Sequence, residues 1–272
     1  MLEYLQNPFI LRAIIAIVLI SMVTATIGSF TVFRGLSFLL AGIAHAAMAG
    51  AAFAIFISYY GLIPHFHPLL GSLIFGLIMI IAVGLFKMDI GGESSDVAIG
   101  IAFAMSMSLA VLFISLIREY AVQAWGLIVG DLLLLTTFDI LLLIIVTAII
   151  VFLTMIFYKE FLFISFDIEG AEALGLRIVF YNYLMLILIA LAVVVLLKGV
   201  GAILVYALMI IPAAAANNVA RKVSDVFIFA FIFSLMSGFL GLVIALYIDV
   251  APSALAGLIA LAIYITTLKA RR

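Results

Sequence analysis

Long apolar stretches recur along the whole chain, and they limit its possible folds more than any other feature. Of the 272 residues, 69% are hydrophobic and 9% are charged, and the mean hydropathy is +1.54. A soluble domain of this length could not bury so many apolar side chains. Apolar stretches of about 18 residues or more with few charges are typical of helices that cross a membrane. The sequence therefore predicts an all-α polytopic membrane protein.

We predict about eight to nine transmembrane helices from the lengths of these stretches. A shorter apolar stretch at 124–136 is interrupted, and it could re-enter the membrane instead of crossing it. No connecting stretch is long enough to form a second domain, so residues 1–272 are expected to form a single transmembrane domain. The candidate spans are 10–33, 36–58, 68–86, 96–117, 138–158, 180–198, 200–219, 224–247 and 253–268.

The distribution of lysine and arginine predicts an orientation. If there are nine crossings, one side of the membrane carries all but three of the 12 lysines and arginines, and the other carries Arg12, Arg118 and Lys198. Basic residues are enriched in cytoplasmic loops. We therefore expect a multi-pass protein of the cell (plasma or inner) membrane with a cytoplasmic C-terminus and an external N-terminus.

Overall charge and cysteine content exclude some partners and chemistries. The net charge of -1 gives no indication of a nucleic-acid partner, so membrane lipid is the only partner that composition predicts. The chain has no cysteine, which excludes disulfides and thiolate metal sites.

One histidine lies at the centre of an apolar segment, GLSFLLAGIAHAAMAGAAFAIF at 35–56. Small residues on the helical face of His45 would allow other helices to approach closely. Ionisable groups inside membranes are costly and by default indicate a pathway or a binding site, and neutral imidazole is a common metal ligand. The alternative is a structural histidine that bonds a backbone carbonyl between helices. The residues on that face are Phe38, Ala41, Gly42, Met48, Ala49 and Ala52.

Four further residues are weaker candidates. Asp131 could face the same pathway, although it could equally terminate a broken helix. His65 and His67 lie in a predicted external loop, where they could capture a metal ion, but two histidines do not complete a site. Pro212 removes a backbone hydrogen bond, so it should kink its helix or end the regular part, as in the broken helices of transporters.

The segment DIEGAEALG at 167–175 predicts a short cytoplasmic helix. Asp167 can cap its N-terminus, acidic residues occupy its first turn, and Gly175 follows its end. Such a helix could dock in a groove of a partner protein or could be an ordinary solvated connector.

Four sequence blocks in a fixed order carry a family resemblance: HAAMAG at 45–50, GDLL at 130–133, DIEGAEALGL at 167–176 and LKGVGAILVYALMIIPAAAANNVAR at 197–221. Together they resemble the permease subunits of the zinc and manganese ABC importers, the ABC-3 metal permease family. The resemblance covers residues 20–265, and the block that ends in IIPAAAA is its most specific part.

That resemblance implies a permease of the vitamin B12 permease-like type, with residues 1–272 as its single permease domain. It implies a homodimer, two cytoplasmic ABC ATPase subunits and an external metal-binding protein. It further implies that residues 167–176 contact the ATPase and that the chain imports a divalent metal ion, with no permanently bound cofactor. The coupling residues would be Asp167, Glu169, Gly170, Ala171, Glu172 and Gly175.

The match to the family's metal site is partial. The manganese-type members of the family that this chain resembles typically have a pattern like GDAxxHA, with an aspartate four residues before the histidine. This chain retains the histidine as His45 but has Ala41 at the position of the aspartate. Manganese favours oxygen ligands, so the departure favours zinc or another ion that accepts imidazole.

Other functions remain as alternatives. An ABC permease for a metal chelate or a vitamin would share the ATPase but would not need His45. An ion-driven secondary carrier would need no ATPase and would depend on Asp131. The chain has no GxxxxGK[ST] phosphate loop and no HExxH or GxSxG pattern, so an ATPase of that type and a hydrolase are both disfavoured.

Overall fold

We describe a computed structural model of the chain, which covers residues 7–64, 66–89, 95–117, 126, 130, 132–248 and 250–270. All regular structure in this part of the chain is helical. The first span is formed by α1 (Pro8–Val23), a π-helical segment (Thr24–Gly28) and α2 (Ser29–Phe33). The remaining elements are α3 (Ser37–Tyr59), α4 (Pro68–Asp89), α5 (Ser95–Leu116), a 3₁₀ turn (Leu132–Leu134), α6 (Thr137–Ile156), α7 (Tyr158–Phe166), α8 (Ile168–Ala173), α9 (Ile178–Val200), α10 (Ala202–Val219), α11 (Val223–Ile248) and α12 (Pro252–Ala270).

Local sequence signals account for several helix starts. The side chain of Asn7 accepts a hydrogen bond from the Phe9 amide at 3.0 Å, and Pro8 occupies the first helical position. Helix α6 begins with a capping box, in which the Thr136 hydroxyl and the Asp139 carboxylate each accept a bond from the other residue's amide. These contacts satisfy amides that would otherwise lack partners inside a membrane.

Each of the nine predicted apolar spans coincides with one helix or, for the first span, with a continuous run of helical segments. Six helices within the described residues are long and apolar enough to cross a membrane, and three shorter apolar helices cover Pro68–Val83, Leu204–Val219 and Pro252–Leu268. The all-helical membrane class is therefore confirmed, whereas the number of crossings stays a prediction. Residues 124, 125, 127–129 and 131 of the stretch at 124–136, where we considered re-entry, lie outside the described residues, so re-entry stays a prediction.

The chain divides into two compact units. The first comprises Met1–Leu36, Asp131–Leu188 and Ala207–Arg272, and the second comprises Ser37–Gly130 and Ile189–Tyr206. In the first unit, α1 packs against α6 and α11, and α11 packs against α12. In the second unit, α3 is the central helix and packs against both α4 and α5.

Candidate metal pathway and coupling region

Small residues let α3, the helix that carries the candidate histidine, approach α4 closely. Gly50 of α3 lies directly against Gly71 of α4, and a Cβ atom at either glycine would overlap the carbonyl oxygen of the other. The two backbones therefore touch, as in other small-residue membrane interfaces. This contact explains the glycine in the HAAMAG block.

The imidazole of His45 is half-buried between its own helix and α5. Its Nδ1 atom lies 2.8 Å from the carbonyl oxygen of Ala41, one turn earlier in the same helix. The ring lies against Phe103 of α5, with 4.6 Å between the ring centroids and an angle of 58° between the planes. The hydrogen bond is thus made within one helix and does not join two helices.

That hydrogen bond determines which nitrogen of His45 can bind a metal ion. A carbonyl oxygen only accepts, so the bond requires the proton on Nδ1. In the neutral ring, Nε2 then carries the free lone pair, which is the form in which histidine ligates metals. Metal-binding histidines commonly donate their other N–H to a backbone carbonyl.

The described residues contain no group of three or more histidine, cysteine, aspartate or glutamate side chains that could hold a metal ion. Asp131 and His65 lie outside the described residues. Ala41 offers its backbone carbonyl to His45 and has no carboxylate to add. Within the part of the chain that the structure describes, His45 could therefore supply one ligand at most and not a complete site.

His67 has a local structural contact in the loop before α4. Its Nδ1 atom accepts a hydrogen bond from the Leu69 amide at 3.3 Å, and its backbone carbonyl accepts one from the Leu70 amide at 3.0 Å. The side chain is exposed. This arrangement caps the start of α4. Because His65 lies outside the described residues, metal capture by His65 and His67 stays a prediction.

Helix α10 continues through Pro212. The residue is buried, and helix extends on both sides of it from Ala202 to Val219. The helix therefore does not end at Pro212, and a kink at this position stays a prediction.

Gly130, the first residue of the GDLL block, lies against the KGVG part of the block at 197–221. Gly130 has a φ of 65°, a left-handed conformation that favours glycine. A Cβ atom on Gly130 would overlap the backbone at Val200 and Gly201. Glycine at 130 is thus required both by its backbone conformation and by this close approach.

The predicted coupling segment forms the helix α8, as expected from its sequence. The Asp167 side chain accepts a hydrogen bond from the Gly170 amide at 2.8 Å. At the other end, the amides of Gly175 and Leu176 bond the carbonyls of Glu172 and Ala171 at 2.9 and 3.1 Å. This is a Schellman motif, and the φ of 77° at Gly175 supplies the left-handed residue that it requires.

One face of this segment is exposed and combines acidic with apolar side chains. Glu169 and Glu172 are exposed, whereas Ala171 is fully buried. Leu174 is 74% exposed. Exposed apolar residues beside charges on a short helix are typical of a surface that docks into a groove.

An aromatic cluster supports the helix that precedes α8. Phe161 of α7 is 1% exposed, and its ring lies 5.7 Å from Phe30 and 6.4 Å from Tyr181, both edge-on. Phe30 in turn contacts Phe227 at 5.4 Å. Edge-to-face contacts of this kind stabilise a defined arrangement, so α7, which precedes α8, is anchored in the first unit by its aromatic side chains.

Arg34 lies at the end of α2, beside this cluster. Its Nη1 donates to the Met185 sulfur at 3.6 Å. Burial lowers the pKa of Arg34 from its ordinary value. A cation at a helix C-terminus is favourable.

Sequence reasoning missed two features near these residues. The contact between Phe103 and His45 follows from the register of α5 on α3, which no local pattern specifies. The π-helical segment Thr24–Gly28 in the first span has a sequence, TATIG, with no glycine-proline or capping signal that would indicate it.

Comparisons with known proteins identify the family of this chain. Residues 6–271 match the ABC 3 transport family. The chain belongs to this family. It is 33% identical over 260 residues to the manganese transport system membrane protein MntC of Listeria monocytogenes, covering 96% of this chain and 90% of the relative. It is 30% identical over 241 residues to the high-affinity zinc uptake system membrane protein ZnuB of Haemophilus influenzae, covering 88% of each.

A solved structure supports the same assignment. The chain matches the structure described as PsaBC from Streptococcus pneumoniae in complex with Fab, with a TM-score of 0.87 and 27% identity. The match covers 98% of this chain and 93% of that chain. The resemblance predicted from the four sequence blocks is therefore confirmed for nearly the full length.

Proposed function

We propose that this protein is the permease subunit of an ATP-driven importer of divalent transition-metal ions. It receives the ion from an external binding protein and passes it to the cytoplasm. The observation that carries this proposal is the family match over residues 6–271, together with relatives whose names specify manganese and zinc. The transported ion is cargo, and no permanently bound cofactor is needed.

His45 is the proposed ligand on the pathway. Its half-buried ring, the carbonyl bond on Nδ1 and the available lone pair on Nε2 support this role. A single imidazole does not hold a metal ion tightly. A pathway needs ligands that bind the ion and then release it, so a weak site suits transport.

The missing carboxylate at position 41 affects the choice of metal. Zinc accepts imidazole readily, whereas manganese favours oxygen ligands. We therefore expect zinc to be carried at least as well as manganese. We further propose that Asp131 faces the same pathway and that His65 and His67 capture the ion on the external side.

The energy source is proposed to be ATP hydrolysis in a separate subunit. Two ATPase subunits would serve a homodimer of this chain, with residues 1–272 acting as one permease domain with about eight to nine crossings. The acidic and apolar surface of α8, between the cap at Asp167 and the turn at Gly175, would contact the ATPase. The C-terminus would be cytoplasmic and the N-terminus external.

Metal uptake by whole cells tests the proposal. Cells that lack their own manganese and zinc importers would express this chain with its ATPase and binding protein, and accumulation of each radioactive metal would be measured. The proposal predicts accumulation of zinc or manganese that depends on this chain. Accumulation only of a metal chelate or a vitamin would refute the metal-ion assignment.

An ATP control separates the importer from an ion-driven carrier. An inactive ATPase variant should abolish uptake while the ion gradients remain. Uptake that survives this variant and disappears when the proton and sodium gradients are removed would favour the ion-driven carrier.

A further inference from the structure

Two helix irregularities lie side by side in the first unit. The first span contains the π-helical segment Thr24–Gly28, and α10 contains Pro212 in its interior. π-Helical segments are rare and are often found at functional sites. Proline and π-helical segments are also the usual places where helices bend.

Pro212 leaves one backbone acceptor without its helical donor. In a regular helix the carbonyl of residue 208 accepts from the amide of residue 212, but proline has no N–H. The Thr24 hydroxyl lies 3.1 Å from the Leu208 carbonyl oxygen and donates to it. Thr24 is fully buried and Leu208 is 4% exposed, so water does not substitute for either group. The π-helical segment thus supplies the hydrogen bond that the proline removes.

A second contact fixes the same two segments. Gly28, the last residue of the π-helical segment, lies against the Met209 carbonyl, and a Cβ atom on Gly28 would overlap that oxygen. Apolar side chains continue this contact beyond Pro212, because Ala25 packs with Ala213 and Ala216 of α10. Two adjacent carbonyls of α10 therefore face the π-helical segment: Thr24 donates to the Leu208 carbonyl, and Gly28 lies against the Met209 carbonyl.

The contrast with Thr26 shows that the Thr24 bond is not a general property of these threonines. The Thr26 hydroxyl donates to Met22 at 2.9 Å and to Val23 at 3.2 Å, both in its own helix. A threonine usually bonds its own helix in this way. Thr24 instead donates to a carbonyl that lies 184 positions later in the chain.

We propose that Thr24 is a positioning residue of the transport cycle. Its hydroxyl aligns the two irregular segments by satisfying the Leu208 carbonyl, so that the first span and α10 bend together as one hinge. The bond can be exchanged when the helices move, because a hydroxyl rotates freely whereas a backbone amide does not. The hydrogen bond between Thr24 and the Leu208 carbonyl does not depend on which cargo the protein carries, whereas its role in the transport cycle rests on the proposed function.

A double-mutant cycle tests the bond. Thr24→Val removes the donor with little change in shape, and Pro212→Ala returns the missing amide to α10. Interhelical hydrogen bonds in membranes change an equilibrium by about three- to twenty-fold. Thr24→Val should lower the folded-to-unfolded ratio of the detergent-purified protein by a factor in that range. In the Pro212→Ala background the same substitution should have no effect, because the amide restored at position 212 then bonds the Leu208 carbonyl.

Transport kinetics of the intact complex test the positioning role. Thr24→Val should lower the maximal rate of metal uptake and of ATP turnover by about three- to twenty-fold while leaving the KM for the metal unchanged. Thr24→Ser, which keeps the hydroxyl, should restore both rates. Thr26→Val is the matched control, since it removes a hydroxyl that bonds only its own helix in this structure, and its rates should equal those of the wild type.

Three results would overturn the proposal. The first is equal destabilisation by Thr24→Val in the wild-type and Pro212→Ala backgrounds. The second is a normal rate of transport and ATP turnover in Thr24→Val, even though its effect on stability depends on Pro212 as expected. That result would make the bond purely structural. The third is an equal loss of rate in Thr26→Val. If the wild type transports neither manganese nor zinc, the proposed cargo is wrong. The ATP turnover of Thr24→Val and the wild type can still be compared in that case, so the two proposals are tested separately.

Discussion

The hydrogen bond of His45 bears on both roles that the sequence allows for this residue, a structural histidine and a metal ligand. The bond from Nδ1 to the Ala41 carbonyl is the kind of contact that a structural histidine makes. It lies within one helix, however, so it does not join α3 to a neighbour. The same bond leaves Nε2 available in the neutral ring, which is the requirement for a ligand.

Replacement of His45 tests its role as a ligand. His45→Ala should reduce metal uptake at least about tenfold, because a coordinating nitrogen is lost from the pathway. Ser106→Ala on α5 is a suitable control, since it removes a buried hydroxyl that bonds the carbonyl of Ala102 in its own helix at 2.8 Å. Uptake by His45→Ala at the wild-type rate, with equal amounts of protein in the membrane, would exclude His45 as a pathway ligand.

Residue-level interpretation from sequence succeeds where the residue is unusual for its surroundings. A histidine in an apolar helix stands out, and so does a glycine after a capped acidic turn. The Thr24 bond could not be anticipated, because it depends on the placement of two helices that are distant in the chain. The missing amide at Pro212 was visible in the sequence, but its replacement donor was not.

At the scale of elements, the contact between α3 and α4 depends on two glycines. Gly50→Ala should destabilise the protein by about 1–3 kcal/mol, because the new methyl group would overlap the Gly71 carbonyl and force the helices apart. Thermal unfolding in detergent would measure the change.

Gly100→Ala on α5 provides the matched control. Apart from the backbone of its own helix, nothing lies within 4 Å of a Cβ atom at this position, so alanine should be tolerated or should stabilise the helix by about 0.5–1 kcal/mol. Equal unfolding temperatures for the two variants would contradict the close contact of α3 with α4.

The proposed coupling role of helix α8 leads to a second prediction at this scale. Reversal of both exposed charges, Glu169→Lys with Glu172→Lys, should detach the ATPase or uncouple ATP hydrolysis from transport, because like charges would replace complementary ones at the docking surface. Recovery of the ATPase with the purified permease would measure binding.

The pair Glu169→Gln and Glu172→Gln keeps the size of the side chains and removes only their charge. It should have a smaller effect than the lysine pair. Normal ATPase binding and transport in the lysine pair would refute the assignment of α8.

Sequence predicted the elements well because apolar length, capping residues and glycines act locally. Every predicted span corresponds to a helix, and α8 begins after Asp167 and ends before Gly175 as expected. The π-helical segment was missed because an inserted residue in a helix changes no local signal. The positions of the helices could therefore be predicted from local sequence signals, whereas the π-helical segment could not.

At the scale of the whole molecule, the absence of native cysteine makes the orientation measurable. Leu62 and Leu174 are 68% and 74% exposed, and they lie in loops that we assign to opposite sides of the membrane. Leu62→Cys should react with a membrane-impermeant maleimide in intact cells. Leu174→Cys should react only after the membrane is opened. The reverse pattern would invert the proposed orientation.

The central claim is ATP-driven transport of a metal ion, and reconstitution measures it most directly. The purified permease and its ATPase would be placed in lipid vesicles with the external binding protein, and zinc and manganese accumulation would be followed with and without ATP. Our account predicts accumulation of at least one of these ions against its gradient only when ATP is present and the ATPase is active. ATP hydrolysis without metal movement, or metal movement without ATP, would contradict it.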